Sequence, residues 1–171
     1  MKSPFANCEA RIVQEPRTIK FRGDEYEYTY SCYERELTKE RFTTTDIEEE
    51  NVQQVYRQYR AKYGIPSSEE IVQLKEEYGV SSARLALILG FGENQISNYI
   101  GGEVPNKANG KSLSAIKDPR VFRRYVELAK EQLKPSVYEK LIQHVDKLMY
   151  SYSIDTSDEP MMVAEGESFK L

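Results

Sequence analysis

The segment from residue 81 to residue 99 limits the fold more than any other part of the chain. Its sequence, SSARLALILGFGENQISNY, places one apolar pattern of helical spacing before Gly90 and a second one after it. Two short helices, a glycine-containing turn and a small residue such as Ala86 at the helix contact are typical of a helix-turn-helix. We predict this motif here. The residues expected to be buried in it are Leu85, Ala86, Leu89, Ile96 and Tyr99.

The outer face of the second predicted helix is polar. Asn and Gln side chains pair with two atoms of adenine in the major groove, so this face favours base recognition, although simple solvation is the alternative interpretation. We predict base contacts from Asn94, Gln95 and Asn98. Basic and hydroxyl side chains nearby in sequence are candidates for phosphate contacts. These are Arg84, Ser97, Lys107 and Lys111.

The distribution of charge allows an anionic partner despite a net charge of −4. Residues 81–124 hold seven basic and three acidic side chains, whereas residues 151–171 hold five acidic side chains and one basic. Local potential, and not net charge, decides docking of a charged partner. The positive charge of the central block is nevertheless modest for tight binding to DNA.

The N-terminal region predicts a small antiparallel sheet. From Thr18 to Tyr33 apolar residues alternate with polar ones around a turn near Gly23-Asp24, and β-branched residues cluster at 40–44. The alternating tyrosines are expected first as core residues. An exposed aromatic face that binds a partner protein is the second interpretation. The tyrosines concerned are Tyr26, Tyr28 and Tyr30.

Helical spacing replaces the alternation at Thr45, where Thr45 and Glu48 fit a capping box, and Ser67 with Glu70 fits a second one. Residues 65–67, around Pro66, mark the best domain boundary. The predicted fold class is α+β, with a sheet domain joined by a long helix to a helical domain. The predicted ranges are 1–45 for the sheet domain, 46–66 for the connecting helix, 67–118 for the helix-turn-helix domain, 119–150 for the C-terminal helices and 151–171 for a disordered acidic tail.

Several classes of protein are disfavoured. No apolar run is long enough to cross a bilayer and no signal-peptide pattern opens the chain, so a cytoplasmic protein without membrane contact is expected. Cys8, Cys32 and His144 do not complete a tetrahedral zinc site. A single histidine and the absence of phosphate-binding or nucleophile motifs argue against an enzyme. We expect no cofactor and no bound metal.

The sequence resembles the MqsA-type antitoxins, which join a small zinc-binding domain to an Xre-like helix-turn-helix. The resemblance covers about residues 1–150. It is carried by Lys2-Ser3-Pro4, by Tyr30-Ser31-Cys32 at the end of the hairpin, by the phrase RFTTT at 41–45, and by ILGFGENQISNY at 88–99 followed by Gly102 and Pro105.

The resemblance implies a repressor that dimerises through its C-terminal helices, binds its own operator and neutralises a small basic ribonuclease toxin through its N-terminal domain. By position, Asn94 matches a DNA-contacting asparagine of that family, whereas Asn98 stands where the family has an arginine. The family's two Cys-x-x-Cys pairs are replaced by SPFA at 3–6 and CYER at 32–35, so Cys32 alone of the four thiols is retained.

The sequence therefore predicts a sequence-specific DNA-binding repressor, homodimeric and of antitoxin type, with operator DNA and a toxin as partners. The alternative is a phage-derived or mobile-element-derived adaptor. In that case the helix-turn-helix is vestigial and the sheet domain binds another protein. A basic toxin or the protein's own DNA-binding face would attract the acidic tail, although a solvated tail without function is the favoured interpretation.

Overall fold

The computed structural model describes the secondary structure of residues 9–155 and the side chains of residues 9–151. It confirms an α+β fold, with a three-stranded antiparallel sheet at the N-terminal end followed by seven α-helices and one short 3₁₀ helix. The strands are β1 Ala10–Phe21, β2 Asp24–Arg35 and β3 Arg41–Phe42. The helices are α1 Thr45–Tyr63, α2 Ser68–Glu77, α3 Ser82–Leu89, α4 Gln95–Ile100, α5 Lys107–Ala115, α6 Pro119–Leu128 and α7 Pro135–Asp155, with the 3₁₀ helix at Lys130–Gln132.

The chain divides into two compact units. One comprises Met1–Ser67 and Val104–Lys111, and the other comprises Ser68–Glu103 and Ser112–Leu171. The first boundary coincides with the one that Pro66 suggests. The predicted helix-turn-helix domain, 67–118, includes Val104–Lys111. In the structure this segment belongs to the sheet unit instead.

The first unit is built on a long hairpin. β1 and β2 pair over their whole length, from Ala10 opposite Arg35 to Phe21 opposite Asp24. The turn is Arg22-Gly23, with φ of 50° and 95°, as a two-residue type I′ hairpin requires. It lies one residue earlier than the sequence predicts, so Asp24 is the first residue of β2.

Two different structures cover the outer edge of β2. Near its end, Tyr33 and Glu34 pair with the two-residue strand β3. Further along the same edge, side-chain amides of α1 take the place of a strand and hydrogen-bond to backbone groups of β2. The pairs are Asn51 with Ser31, Gln54 with Thr29, and Gln58 with Glu27.

An aromatic core explains why Val104–Lys111 belongs to this unit. Val104 is buried in the same cluster as Tyr59 and Ile65. A Cβ placed on Gly110 would lie only 2.6 Å from Cγ1 of Ile65, so the close approach of α5 requires glycine there. The guanidinium of Arg22 at the hairpin turn donates to the carbonyl oxygens of Pro105 and Val104 at 2.7 and 2.8 Å.

The start of α1 differs from the predicted capping box. Thr44, not Thr45, occupies the N-cap position, and its side chain makes no cap hydrogen bond. The hydroxyl of Thr43 donates instead to the carboxylate of Glu48 at 2.7 Å. Thr43, and not the predicted Thr45, therefore hydrogen-bonds to the glutamate of the first turn.

The helical unit has its own core, in which residues of α2 to α7 pack together. The rings of Tyr78 and Phe122 stack with centroids 3.8 Å apart, and the Tyr78 hydroxyl donates to the carbonyl oxygen of Ile116 at 2.5 Å. Asp118 caps α6 by accepting from the backbone N–H of Arg120 at 2.9 Å. The core therefore joins α2 to the helices that follow the predicted motif.

Two helix ends differ from the predictions. The spacing of apolar residues after Pro119 predicts a helix as far as Leu133, but α6 ends at Leu128, because the backbone tightens into the 3₁₀ helix ahead of Pro135. α7 continues to Asp155, so residues 151–155 of the predicted tail are helical. No glycine or proline interrupts residues 136–159, so a change in composition alone does not end the helix. The rest of the predicted tail, 156–171, and the N-terminal residues 1–8, with Cys8 and the SPFA segment, lie outside the described residues.

Candidate nucleic-acid interface

The first helix of the predicted motif has a well-defined start. Ser81 is the N-cap of α3, and its hydroxyl oxygen accepts from the backbone N–H of Arg84 at 3.2 Å. Leu85 and Ala86 are fully buried and Leu89 is nearly so. The predicted inward face of α3 is therefore confirmed, and the side chain of Arg84 is exposed.

A left-handed glycine forms the turn between the helices. Gly90 has φ 70° and ψ 26°, and the N–H of Phe91 bonds to the carbonyl oxygen of Ala86 at 2.8 Å. This six-to-one hydrogen bond is the one that ends a helix in a Schellman motif. The turn then leads through Gly92 to Asn94, the N-cap of α4.

The second helix buries only its apolar side. Ile96 and Tyr99 are 0% and 1% exposed, and the Tyr99 carbonyl oxygen accepts from the hydroxyl of Ser68 on α2 at 2.9 Å. α4 is thus held against the core and contacts both α2 and α3. The predicted side chains Asn94, Ser97 and Asn98 are all exposed.

One of the side chains predicted to contact bases, Gln95, already has a partner in the protein. Gln95 is half-buried, and its side-chain Nε2 donates to the Glu103 carboxylate at 3.3 Å. The Asn94 amide makes no cap hydrogen bond to the start of α4, so it is not used to hold the helix. Of the three predicted base-reading amides, Asn94 and Asn98 are the better placed to meet a ligand.

The two predicted phosphate-contacting lysines lie in the other unit. The Lys107 amine lies 3.7 Å from Oδ2 of Asp24 and 4.1 Å from the centroid of the Tyr63 ring. Lys111 is exposed on α5. Of the predicted phosphate contacts, Arg84 and Ser97 therefore lie in the helical unit, whereas Lys107 interacts with Asp24 within the sheet unit.

Asp24 is the centre of the charge cluster that holds Lys107. The Tyr63 hydroxyl donates a short hydrogen bond to Oδ2 of Asp24, and the Lys62 amine lies 3.0 Å from Oδ1. The hydrogen bond from Tyr63 and then the one from Lys62 lower the pKa of Asp24 to about 2. Asp24 is therefore ionised at neutral pH. This role of Asp24 is not predicted from the sequence, where Gly23-Asp24 is interpreted as the turn.

The tyrosines suggested as a partner surface do not share one environment. Tyr26 is 5% exposed and belongs to the aromatic core, so its assignment to a partner surface is wrong. Tyr28 packs partly buried against that core. Tyr30 is half-buried, with the guanidinium of Arg17 3.5 Å from its ring centroid. The alternating tyrosines of β2 therefore contribute mainly to the core, which agrees with the first of the two interpretations.

Charged side chains lie around Cys32, at a position where MqsA-type antitoxins bind zinc. Glu34, which is 7% exposed, pairs with Arg11 at 2.7 Å and with Arg41 at 3.3 Å. The hydrogen bond from Arg11 and then that from Arg41 lower the pKa of Glu34 against its partial desolvation. Cys32 beside them is a buried free thiol. Within residues 9–151, no three His, Cys, Asp or Glu side chains lie close enough together to hold a metal ion.

Comparisons with known proteins add no assignment. The sequence matches no protein-family model, and no curated protein matches it significantly. Of the helices in the described part of the chain, none has both the length and the apolar composition needed to span a membrane.

Proposed function

We propose that this protein binds duplex DNA through α3, the Gly90 turn and α4, and acts as a transcriptional repressor. The observation that carries the proposal is the division of α4 into two faces. Ile96 and Tyr99 fix the helix to the core, while Asn94, Ser97 and Asn98 face outward. A short helix anchored in this way by a preceding helix is the element that enters the major groove in helix-turn-helix proteins.

The outward side chains have the chemistry for recognising bases and phosphates. An asparagine amide can donate to N7 of adenine and accept from its N6 amino group, which gives sequence discrimination. The Ser97 hydroxyl and the exposed Arg84 guanidinium supply donors for phosphate oxygens. Gln95 acts as a base contact only when it releases Glu103.

The antitoxin role extends the proposal to the other unit. It rests on the resemblance to MqsA-type antitoxins, which couples operator binding by a homodimer to binding of a basic toxin by the sheet domain. Exposed apolar side chains on β1 supply a surface for a protein partner, since Ile12 is 56% and Ile19 is 44% exposed. Ile19, Tyr28 and Tyr30 share one face of the hairpin and Ile12 lies on the other, so in this proposal the first three contribute to the toxin-binding face.

An adaptor without DNA-binding activity is the second candidate. It is favoured by two exposed carboxylates, Glu93 and Glu103, which lie just before and just after α4 and would oppose a phosphate backbone. In this case the exposed residues of β1 carry the binding function, and the helical unit serves another purpose. The two candidates differ in whether any duplex sequence is bound selectively.

Selection from a pool of randomised duplexes with the full chain tests the proposal. We expect one sequence to be enriched. On that sequence, Asn94→Ala and Asn98→Ala should each cost about 1–3 kcal/mol of binding free energy, measured by fluorescence anisotropy. Gln143→Ala, an exposed amide on α7, is the matched control and should leave the affinity unchanged.

Two results would contradict base recognition. Failure to enrich any sequence would favour the adaptor. Equal losses on selected and random duplexes would assign Asn94 and Asn98 to non-specific contacts.

A further inference from the structure

A groove of about 280 Å³ lies within the helical unit, where the end of α2 and the start of α3 meet the first half of α7. It is open to solvent on one side and belongs to neither the outward face of α4 nor the sheet unit. The side chains that define it are Val80, Arg84, Val137, Lys140, Leu141 and His144.

The groove combines an apolar floor with a positively charged rim. Val80 and Leu141 are 6% and 6% exposed, whereas Arg84 and Lys140 are both exposed. Within the part of the chain that the structure describes, neither of these cations has an ion-pair partner. A floor of this kind below two unpaired cations suits a peptide that carries both acidic and apolar side chains.

His144 holds the two walls of the groove together. Its Nε2 donates to the carbonyl oxygen of Glu77, the last residue of α2, at 2.7 Å. The groove is therefore a fixed feature of the helical unit, because its wall on α7 is tied to the end of α2.

The chain itself carries a segment with the matching chemistry. Residues 156–171 contain two acidic pairs, Asp158-Glu159 and Glu165 with Glu167, and the apolar side chains of the stretch MMV at 161–163 and of Phe169. We propose that residues 161–169 bind in this groove. Glu165 and Glu167 would face Arg84 and Lys140, and apolar side chains would cover Val80 and Leu141.

The length of the segment selects the second acidic pair. His144 lies eleven residues before the end of α7, which is about 17 Å along the helix axis. An extended chain advances about 3.3 Å per residue, so Asp158 reaches about 10 Å from Asp155 and Glu165 about 33 Å. The first pair therefore cannot lie beside His144, whereas the second can.

Occupation of the groove has a consequence for DNA binding, and this part alone rests on the proposed function. Arg84 is at once a rim residue of the groove and a proposed phosphate contact. A segment that neutralises Arg84 competes with the phosphate backbone for it. The acidic segment thereby weakens DNA binding in the free protein, and a partner that captures the segment relieves this effect.

Zero-length cross-linking of the full chain tests the binding without DNA. A carbodiimide joins an amine to a carboxylate only where the two are in contact, and mass spectrometry identifies the pair. We expect Lys140 to cross-link to Glu165 or Glu167. Because the rim charges act together, Arg84→Gln should lower this yield by about two- to fivefold at low salt. Lys20→Gln, which removes an exposed cation on β1, should leave it unchanged.

Substitutions in the segment provide a second matched pair. The double variant Glu165→Gln and Glu167→Gln should expose Lys140 to acetylation by an activated ester, with the rate of Lys20 on β1 in the same molecule as the internal reference. The double variant Asp158→Asn and Glu159→Gln should leave Lys140 as protected as in the unmodified chain. Equal acetylation of Lys140 in both variants would overturn the proposal.

Two other results would also overturn it. A cross-link pattern in which Lys140 joins Asp158 or Glu159 instead would contradict the predicted position of the segment. Cross-links only between differently isotope-labelled chains would make a second copy the occupant. If the Lys140 cross-link forms but the Glu165→Gln and Glu167→Gln variant binds DNA no more tightly, the groove assignment stands and the proposed contact of Arg84 with DNA is wrong.

Discussion

The side-chain amide of Asn51 forms two reciprocal hydrogen bonds with the backbone of Ser31. Its Oδ1 accepts from the Ser31 N–H at 2.8 Å, and its Nδ2 donates to the Ser31 carbonyl at 2.9 Å. Asn51 is 4% exposed, so water does not readily replace either bond. The amide thus acts as one residue of a neighbouring strand and protects an edge that would otherwise remain unpaired.

Replacement of Asn51 by leucine should therefore destabilise the protein strongly. Leucine has the same branched shape and number of heavy atoms but leaves both backbone groups of Ser31 buried without a partner, at a cost of about 1–3 kcal/mol for each group. We expect the free energy of unfolding, measured by urea denaturation, to fall by at least about 2 kcal/mol. Glu49→Leu, an exposed position on the same helix, is the control and should change it by less than about 0.5 kcal/mol. Equal losses would show that the amide bonds are not the cause.

Asp24 provides a prediction for acidic pH. Its pKa of about 2 in the folded chain is below the value of about 3.9 in an unfolded chain. A depressed pKa stabilises the fold fully above about pH 4, and this stabilisation is lost as the pH falls towards 2. Because the hydrogen bond from Tyr63 is the largest cause, Tyr63→Phe should raise the pKa of Asp24 and reduce the acid dependence of stability over this range.

Carboxyl ¹³C chemical shifts of Asp24, recorded during an acid titration, measure this effect directly. Tyr56→Phe serves as the control, because Tyr56 packs against the same aromatic cluster and is not among the groups that shift the pKa of Asp24. A titration midpoint that does not move in Tyr63→Phe would assign the low pKa to the lysines instead.

Local patterns in the sequence predict most of the fold. The alternation around residues 19–32 gives the hairpin, and the spacing of Leu85, Leu89, Ile96 and Tyr99 gives α3 and α4 with the correct faces inward. These signals are reliable because each depends on residues within one or two turns of each other. For the same reason the outward placement of Asn94, Ser97 and Asn98 follows from the sequence.

Contacts between residues that are distant in sequence are not predictable in this way. Asn51 occupies a position where a polar side chain on a helix is ordinarily solvated, and only the position of β2 makes it an edge ligand. Lys107 follows the predicted motif closely, but its amine is bound by Asp24, 83 residues earlier. The pairing of Gln95 with Glu103 likewise depends on the path of the chain after α4.

Substitution of Gly90 tests whether the turn between α3 and α4 depends on a left-handed backbone conformation. Its φ is 70°, and a Cβ added there would meet no atom within 4 Å, so Gly90→Ala introduces conformational strain without a clash. We expect the free energy of unfolding to fall by about 1–2 kcal/mol. Gly92→Ala is the matched control, because Gly92 has no positive φ and only the Gln95 side chain lies 4.0 Å from its added Cβ. A similar loss in both variants, measured by thermal or urea denaturation, would argue against the strain.

The two lysines of α5 should differ in their effect on DNA binding. The amine of Lys107 interacts with Tyr63 and Asp24, and the hydrogen bond with Tyr63 is the largest cause of its raised pKa. A cation that already faces a carboxylate releases few counterions when it approaches a phosphate, whereas the exposed Lys111 has no such partner among the described side chains. Lys111→Ala should therefore lower the slope of log affinity against log salt by about 0.9 on a random duplex.

For Lys107→Ala the expected change in the same slope is less than half as large, together with a loss of folding stability. Anisotropy titrations between about 50 and 200 mM salt measure both slopes, and Lys147→Ala on α7 provides a control of equal charge. Equal slope changes for Lys107 and Lys111 would show that Asp24 does not restrain Lys107 when DNA is bound. An unchanged slope in Lys111→Ala would remove that lysine from the interface, and phosphate contacts would then have to come from the helical unit, where Arg84 and Ser97 are the proposed donors.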